Sequence, residues 1–281
     1  MNEKSKLIVN LACTGAISTK QMTPHIPLTV DEIVLDVERA LELGVQMLHI
    51  HARDERSQQT SDPEQYKEII SRIRKLPFGR EAVICATTSG RFNADFSTRS
   101  QVLDLDDEFK PDMASLTLSS MNFIGSESIT NPDTIRRLAA KMKERGIKPE
   151  LEVFDLGMAN FVRVLAKEQL ITPPFYVNVL LGNIASAQAD PIQLGAILSA
   201  LPKECIIGIG GLGRNQLVSN GFGLLCADAV RIGLEDNIWF DQRRSRLATN
   251  TDLVERVVQQ ATLFERPLME LSETRMKLGI T

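Results

Sequence analysis

Eight short apolar runs recur along the chain, and each is followed by turn residues and a segment with helical periodicity. The runs lie at 7–13, 45–52, 81–88, 113–118, 150–155, 175–181, 205–211 and 228–234. Strands that alternate with helices predict a parallel sheet with helices outside it. Eight such units in 281 residues predict a closed (β/α)8 barrel, a single domain over residues 1–281. The alternative is a doubly wound open sheet, but CTGAIS after the first run does not match its phosphate fingerprint.

Most of the segments between these runs carry recognisable helix start and stop signals. Segment 31–44 opens with acidic residues and stops at Gly44. Segment 131–146 has Asn131 as its cap and Pro132 in its first turn, where proline is favoured. Three further helical segments are predicted at 62–76, 190–202 and 251–264. The helical pattern after the third apolar run is weak.

The composition and charge argue against several classes of protein. With 36 acidic and 32 basic residues, the net charge is −4, which gives no reason to expect a nucleic acid or an anionic membrane as partner. No apolar run approaches the length of a membrane span, and the N-terminal MNEKSKLIVN lacks the apolar core of a signal peptide. The sequence therefore predicts a cytoplasmic protein.

The four cysteines are far apart in the sequence and form no CxxC pair. Cys13, Cys85 and Cys205 lie in apolar runs that we predict to be strands, whereas Cys226 does not. Buried free thiols in a reducing cytosol fit this distribution better than disulfides do. We do not expect a cysteine nucleophile.

Two of the three histidines, His49 and His51, lie one residue apart in the second run, VQMLHIHA. Residues i and i+2 of a strand point to the same face, so both imidazoles are predicted to point into the barrel. They lie near the carboxyl end of the strand, where barrel enzymes place their active sites. Neutral imidazole is a common metal ligand, so the pair predicts a metal site. The alternative is a hydrogen-bonded pair in the core.

A third ligand is available from the eighth run, which closes with Glu235 and Asp236 in VRIGLEDN. The second and eighth strands both flank the first when the barrel closes, so their carboxyl ends converge. Two imidazoles and one carboxylate with an open position match a catalytic Zn²⁺ site, although Fe²⁺ or Mn²⁺ is also compatible. The alternative is that the two acids only cap the next segment.

Two further features of the last strands suggest functional groups. Arg231 lies at a position of the eighth strand whose side chain is predicted to point into the barrel. Its guanidinium is predicted to orient Asp236 and hold it ionised. The seventh strand is followed by the glycine-rich GIGGLGR, residues 208–214. Backbone N–H groups at Gly211 and Gly213, together with Arg214, are candidates for binding a phosphate or an amide group of a ligand. A tight turn with no ligand is the alternative.

Several of these motifs occur together and in order in one known family. TGAISTK, PLTVDEI, HIHARDE, PELEVFDLGM, GIGGLGR and VRIGLEDN resemble the β-keto acid cleavage enzyme family from about residue 8 to the C-terminus. The resemblance implies a (β/α)8 barrel, a homotetramer and a bound Zn²⁺. It also implies an acyltransferase reaction, in which a β-keto acid and acetyl-CoA form an adduct that is cleaved to acetoacetate and a new acyl-CoA.

The resemblance also implies roles for individual residues. The implied metal ligands are His49, His51 and Glu235. Asp236 matches the general base that deprotonates the keto acid, and Arg231 matches its partner. The implied substrate-binding residues are Thr87, Ser115 and Glu152.

One position departs from the aminohexanoate-cleaving members of the resembled family. Those enzymes have a glutamate two residues beyond the glycine of the TGA motif, which meets a cationic amino group, whereas this chain has Ile17. An isoleucine leaves a buried ammonium unpaired, so a cationic substrate is not expected. An apolar or hydroxylated β-keto acid fits Ile17 better. An anionic substrate requires a base nearby, for which Lys20 is a candidate.

Two other functions are compatible with the sequence. One is a metal-dependent hydrolase, but the remaining histidine, His25, lies in a turn-like segment and leaves such a site short of ligands. The other is a metal-binding barrel without activity, against which the presence of both Asp236 and Arg231 argues. Dependence on acetyl-CoA distinguishes these readings.

Overall fold

The computed structural model describes residues 6–280, in which eight parallel strands close into one barrel. Each strand pairs with the next in the chain, and the last pairs with the first. The strands are β1 (Ile8–Ala12), β2 (Met47–Ile50), β3 (Val83–Ala86), β4 (Met113–Thr117), β5 (Lys148–Val153), β6 (Phe175–Leu181), β7 (Cys205–Gly211) and β8 (Ala229–Ile232). The predicted barrel is confirmed, and the open sheet is excluded. The ends of the predicted domain 1–281, including the start of MNEKSKLIVN, lie outside the described residues.

Helices follow the strands and cover the outside of the barrel. They are α1 (Val30–Glu42), α2 (Pro63–Ile73), α3 (Phe96–Arg99), α4 (Pro132–Glu144), α5 (Leu156–Lys167), α6 (Pro191–Ala200), α7 (Gln216–Cys226), α8 (Asn250–Leu263) and α9 (Leu271–Leu278). The five segments predicted with explicit bounds are helical to within a few residues. The weak segment after the third strand is the four-residue α3 followed by two 3₁₀ turns.

The helix starts follow from local chemistry. Thr29 caps α1 in a reciprocal capping box with Glu32. Asp62 and Asp190 cap α2 and α6, each with proline at the first helical position. Two antiparallel hairpins extend from the barrel, formed by Ala52–Arg53 with Gln59–Thr60 and by Met121–Phe123 with Ser126–Ser128.

The buried apolar residues form two clusters. The larger lies between the barrel and its helices. The smaller fills the amino end of the barrel interior and consists of Ile8, Met47, Val83, Cys85, Met113, Tyr176, Ile206, Ala229 and Leu278. Because side chains alternate along a strand, the next inward position on β1 is Asn10 and the next on β2 is His49. The interior therefore changes from apolar to polar towards the carboxyl end.

The burial of the cysteines agrees in part with the prediction of buried free thiols. All four cysteines are free; Cys13 and Cys85 are buried, Cys205 is half-buried and Cys226 is exposed. Burial raises the pKa of Cys13 to about 12, so this thiol is unreactive.

Among residues 6–280, no helix is long and apolar enough to span a bilayer.

Candidate active site at the carboxyl end of the barrel

The first polar level of the barrel interior centres on the carboxylate of Glu150. Its Oε1 accepts hydrogen bonds from Asn10 Nδ2 at 2.7 Å and from Asn178 Nδ2 at 2.6 Å. Its Oε2 lies 2.5 Å from His49 Nδ1 and 3.1 Å from Cys85 Sγ. We call these five residues the inner polar layer. Burial disfavours the ionised form of Glu150, but His49, Arg231 and the hydrogen bonds outweigh it and lower the pKa of Glu150 to about 2.

Glu150 fixes the orientation of His49. Because the ionised carboxylate is an acceptor, Nδ1 of His49 carries the proton and Nε2 is directed away from Glu150. His49 Nε2 lies 3.7 Å from Glu235 Oε1, and His51 Nε2 lies 3.3 Å from the same oxygen. The structure thus brings together the three residues predicted as metal ligands.

The donor atoms of these three residues fit a metal ion. His49 Nε2 and Glu235 Oε2 are buried and have no hydrogen-bond partner among the described residues, which is rare for buried polar atoms. Ligand atoms of His49, His51 and Glu235 all lie within 4.8 Å of one another. Two imidazoles and a carboxylate are the donors of a catalytic Zn²⁺ site.

A second cluster, His49, Cys85 and Glu150, is also close enough to hold a metal ion. Its carboxylate already has four hydrogen-bond donors. Burial, reinforced by Glu150, raises the pKa of the Cys85 thiol well above its usual range, whereas a metal binds the thiolate. This cluster is better explained as a support for His49, which is the role that partners of metal-binding histidines have.

A turn after β8 positions the acidic residues. Gly233 has φ +145°, and a Cβ there would lie 2.1 Å from the carbonyl oxygen of Ala12, so this position requires glycine. The turn lets the N–H of Glu235 donate to Ala12 O at 3.1 Å. Glu235 and Asp236 are therefore held beside the end of β1, at the place the barrel closure predicted.

Arg231 is buried and bonded to both acids. Its Nε donates to Asp236 Oδ2 at 2.9 Å and its Nη2 to Asp236 Oδ1 at 3.2 Å. The same Nη2 donates to Glu235 Oε1 at 2.8 Å, and Nη1 lies 3.6 Å from Glu152 Oε1. The predicted two-point contact between Arg231 and Asp236 is present.

The pKa of Asp236 depends on burial and on Glu235 as well as on Arg231. Burial raises the pKa of Asp236, and the charge of Glu235 adds to this, whereas Arg231 opposes it. The net direction is upward, so the guanidinium orients the carboxylate and offsets only part of the desolvation. A carboxylate with a raised pKa is a stronger base when ionised, and this suits proton abstraction.

A cavity of about 710 Å³ opens above these groups. Its lining includes nine of the twelve predicted site residues: Ile17, His51, Thr87, Glu152, Gly213, Arg214, Arg231, Glu235 and Asp236. The other three are His49, Ser115 and Gly211. His49 lies in the inner polar layer, below the cavity. His25 is exposed and is not part of the lining.

Ser115 lies deeper than a substrate-binding role requires. Its Oγ is 3.3 Å from Thr87 Oγ1 and accepts from the N–H of Thr88 at 3.1 Å, so it supports Thr87 from behind. The hydroxyl of β4 that reaches the cavity belongs to Thr117, which donates to Glu152 Oε2 at 2.6 Å. Thr117 points to the same side of β4 as Ser115. The sequence did not single it out, because the depth of a residue along the barrel axis could not be inferred.

The glycine-rich loop is packed rather than open. A Cβ on Gly211 would lie 2.3 Å from Ser219 Oγ of α7, so this glycine allows close helix packing. The N–H of Gly213 donates to the carbonyl oxygen of Asp236 at 2.7 Å and is not free for a ligand. This corrects the prediction of an exposed N–H group at Gly213, and Gly211 is buried at the end of β7. Arg214 is exposed at the cavity rim, together with Arg244, which lies in none of the motifs found in the sequence.

Taken together, the fold and the site define a (β/α)8 barrel enzyme with a two-histidine, one-carboxylate cluster at its catalytic end. The sequence matches the profile of the beta-keto acid cleavage enzymes over residues 6–280. The chain belongs to this family, as the resemblance implied, and is an enzyme that cleaves β-keto acids.

Individual relatives agree with this assignment. The chain is 33% identical over 277 residues to the 3-keto-5-aminohexanoate cleavage enzyme of Acetoanaerobium sticklandii, covering 98% of this chain and 99% of that one. It is 30% identical to the 3-oxoadipate:acetyl-CoA acetyltransferase of Cupriavidus necator, covering 97% of this chain and 94% of that one. The structure of ObcA with a C4-CoA adduct and oxalate superposes with a TM-score of 0.80 at 19% identity, over 92% of this chain and 68% of ObcA, and supports the fold.

Proposed function

We propose that this protein is a Zn²⁺-dependent acyltransferase that converts a β-keto acid and acetyl-CoA to acetoacetate and a new acyl-CoA. The carbon between the keto and carboxyl groups loses a proton and forms a bond to the acetyl carbon. The bond between that carbon and the original keto carbon then breaks, the sulfur of coenzyme A takes the departing acyl group, and the carbon regains a proton. Names of relatives that act with acetyl-CoA support the co-substrate.

One observation carries this proposal. The cluster of His49, His51 and Glu235 and the arginine-bound carboxylate of Asp236 belong to one site, joined by Arg231, which donates to both acids. A hydrolase needs an activated water, whereas enolate chemistry needs a base beside a Lewis acid. The carboxylate of Asp236 beside the cluster of possible metal ligands supports the second arrangement.

Each residue of the site has an assigned role in the proposed reaction. The metal held by His49, His51 and Glu235 would supply a Lewis acid for the keto oxygen. Asp236 accepts the proton from the substrate carbon, and its two hydrogen bonds to Arg231 keep it in one orientation. Arg231 also supplies fixed positive charge where negative charge develops.

The rim of the cavity is assigned to coenzyme A. Arg214 and Arg244 are both exposed there, and guanidinium groups bind phosphate through two parallel hydrogen bonds. Thr87 and Glu152 line the deeper part of the cavity and are assigned to the keto acid.

Ile17 bears on substrate charge. It is 40% exposed and lines the cavity, so the wall at this position offers no counter-charge to a cation. We expect 3-oxohexanoate to be a much better substrate than 3-keto-5-aminohexanoate. Comparable turnover of the two acids would contradict this assignment.

The decisive experiment uses acetyl-CoA labelled with ¹³C in both acetyl carbons, together with a panel of β-keto acids. The proposed bond changes place both labelled carbons in acetoacetate and leave the new acyl-CoA unlabelled, which mass spectrometry resolves. Product formed without acetyl-CoA would instead indicate a hydrolase. Asp236→Asn is the matched control, because it keeps the shape of the site and removes the base.

Three further proposals accompany the reaction. Metal analysis of purified protein is expected to give one Zn²⁺ per chain, and Fe²⁺ or Mn²⁺ in its place would correct the metal. Light scattering is expected to give a homotetramer. Cell fractionation is expected to find the protein in the cytoplasm.

A further inference from the structure

Arg91 is a cationic residue of the cavity to which the proposed reaction assigns no role. It follows β3 in the segment Ser89–Gly90–Arg91, and it lines the same cavity as Thr87, Glu152 and Glu235. Its side chain is half-buried, unlike the exposed Arg214 and Arg244 of the rim. Arg91 thus combines partial burial with a place in the cavity lining.

Two contacts hold Arg91 against the hairpin that extends from β4. Its guanidinium carbon lies 4.1 Å from the centre of the Phe123 ring, and its Nε donates to Ser126 Oγ at 3.2 Å. Stacking on an aromatic ring and one hydrogen bond through Nε fix the plane of a guanidinium. Within residues 6–280, neither Nη nitrogen has a hydrogen-bond partner, so both can meet a planar two-oxygen ligand.

The described part of the chain gives Arg91 no carboxylate partner within 4.0 Å. Arg231, by comparison, is surrounded by Glu152, Glu235 and Asp236. Burial lowers the pKa of Arg91, and only the more distant charge of Glu235 opposes this. A half-buried cation without an ion pair in a substrate cavity is suited to binding an anion.

We propose that Arg91 binds a second carboxylate of the substrate, so that the enzyme acts on β-keto dicarboxylic acids. This inference rests on the proposed function, which places the keto end of the substrate at His51, Glu235 and Asp236. The far carboxylate would then meet the two Nη nitrogens of Arg91.

Neighbouring positions agree with an anionic substrate. Ile17 gives the cavity wall an apolar side chain, which does not repel a second carboxylate. Lys20, which the sequence suggested as the base for such a substrate, is bonded to Glu32 at 2.6 Å and does not line the cavity. Arg91 therefore takes the role that the sequence analysis considered for Lys20.

The test compares two substrates of equal chain length, 3-oxoadipate and 3-oxohexanoate, which differ in the second carboxylate. The wild-type protein is expected to prefer 3-oxoadipate. Arg91→Gln is expected to raise KM for 3-oxoadipate and to lower its preference over 3-oxohexanoate by about 10- to 100-fold, the range for hydrogen bonds to a charged group. Arg91→Lys, which keeps the charge but not the planar fork, is expected to restore part of the preference.

Arg137→Gln is the matched control. Arg137 stacks on Phe96 at 3.9 Å, much as Arg91 stacks on Phe123, but it lies outside the cavity lining. This variant is expected to leave the substrate preference unchanged.

Three outcomes would overturn the inference. Equal losses on both substrates would place Arg91 at the carboxylate that all β-keto acids share. A rise in KM for acetyl-CoA alone would place it at coenzyme A. A wild-type preference for 3-oxohexanoate would reject the dicarboxylic class.

A binding measurement separates this inference from the reaction itself. Adipate and hexanoate are unreactive probes, and adipate is expected to raise the melting temperature of the wild-type protein but not of Arg91→Gln. If no β-keto acid is turned over, the proposed function fails. The adipate shift still decides whether Arg91 binds a distal carboxylate, and its absence would reject that role.

Discussion

Two glutamates on β5, only two residues apart and on the same face of the strand, have different environments. Glu150, in the inner polar layer, accepts four hydrogen bonds and has a pKa of about 2. Glu152 lines the cavity and is contacted by Thr117 and Arg231. Burial raises the pKa of Glu152 despite the opposing charge of Arg231. We call the cavity-facing groups, His51, Glu152, Arg231, Glu235 and Asp236, the outer polar layer.

The comparison separates structural polar groups from functional ones. In the inner layer the carboxylate is fully paired, as buried polar groups in stable proteins are. At the boundary with the outer layer, His49 Nε2 and Glu235 Oε2 lack partners. Mutations of Glu150 and of its inner-layer partners other than His49 should therefore change stability first, and mutations of the metal cluster and the outer layer should change activity first.

Glu235→Gln gives the largest expected loss of activity. It removes the carboxylate of the metal cluster but leaves the two hydrogen bonds between Arg231 and Asp236. We expect loss of the metal and a fall in kcat/KM of about 1,000-fold or more, because the Lewis acid is lost. Elemental analysis and thermal unfolding check this, and the melting temperature of the metal-free protein should change little. Full metal occupancy in the variant would remove Glu235 from the ligand set.

Glu150→Gln should show the opposite order of effects. The amide replaces an ionised acceptor with a group that donates on one side, so Asn10, Asn178 and His49 cannot all be satisfied. We expect the free energy of unfolding to fall by about 3 kcal/mol, as for other disrupted buried ion pairs. Because His49 loses its orienting partner, metal affinity should also fall by about 10- to 100-fold. Urea unfolding of the metal-free protein isolates the first effect, and an unchanged midpoint would contradict the structural role of the inner layer.

Thr117→Val tests the outer layer with a smaller change. The substitution keeps the size of the side chain and removes the hydroxyl that donates to Glu152 at 2.6 Å. We expect kcat/KM to fall by about 10-fold, the cost of one hydrogen bond to a charged group. Ser115→Ala is the comparison, since Ser115 lies behind Thr87 and outside the cavity. A larger loss of activity in Ser115→Ala than in Thr117→Val would restore Ser115 as the substrate-binding hydroxyl.

The fold was predictable because it depends on repetition. Eight strands were identified from apolar runs, and two of them, 175–181 and 205–211, have the predicted bounds. Helix α3 is short because its segment has little helical periodicity. The two hairpins could not be placed, since strands of two or three residues have no period to detect.

The site was predictable where it depends on parity and on barrel closure. His49, His51 and Glu235 converge because β2 and β8 both pair with β1. Depth along the barrel axis was not predictable, because it depends on the stagger between strands. Ser115 and Thr117 share one parity, and only the coordinates show which of them reaches the cavity. The contact of Arg91 with Phe123 joins the loop after β3 to the hairpin after β4, and residues so far apart in the sequence leave no local pattern.

Cys85→Ala has the smallest expected effect, yet it distinguishes the two clusters that could hold the metal. In the inner layer, Cys85 Sγ donates to Glu150 Oε2 at 3.1 Å, which leaves three stronger donors to that carboxylate when the thiol is removed. We expect the free energy of unfolding to fall by about 1 kcal/mol. Activity and metal content should be within about twofold of the wild-type values, because a thiol this weak contributes little to the orientation of His49. If the metal were instead bound by His49, Cys85 and Glu150, the same substitution would remove a ligand and abolish metal binding.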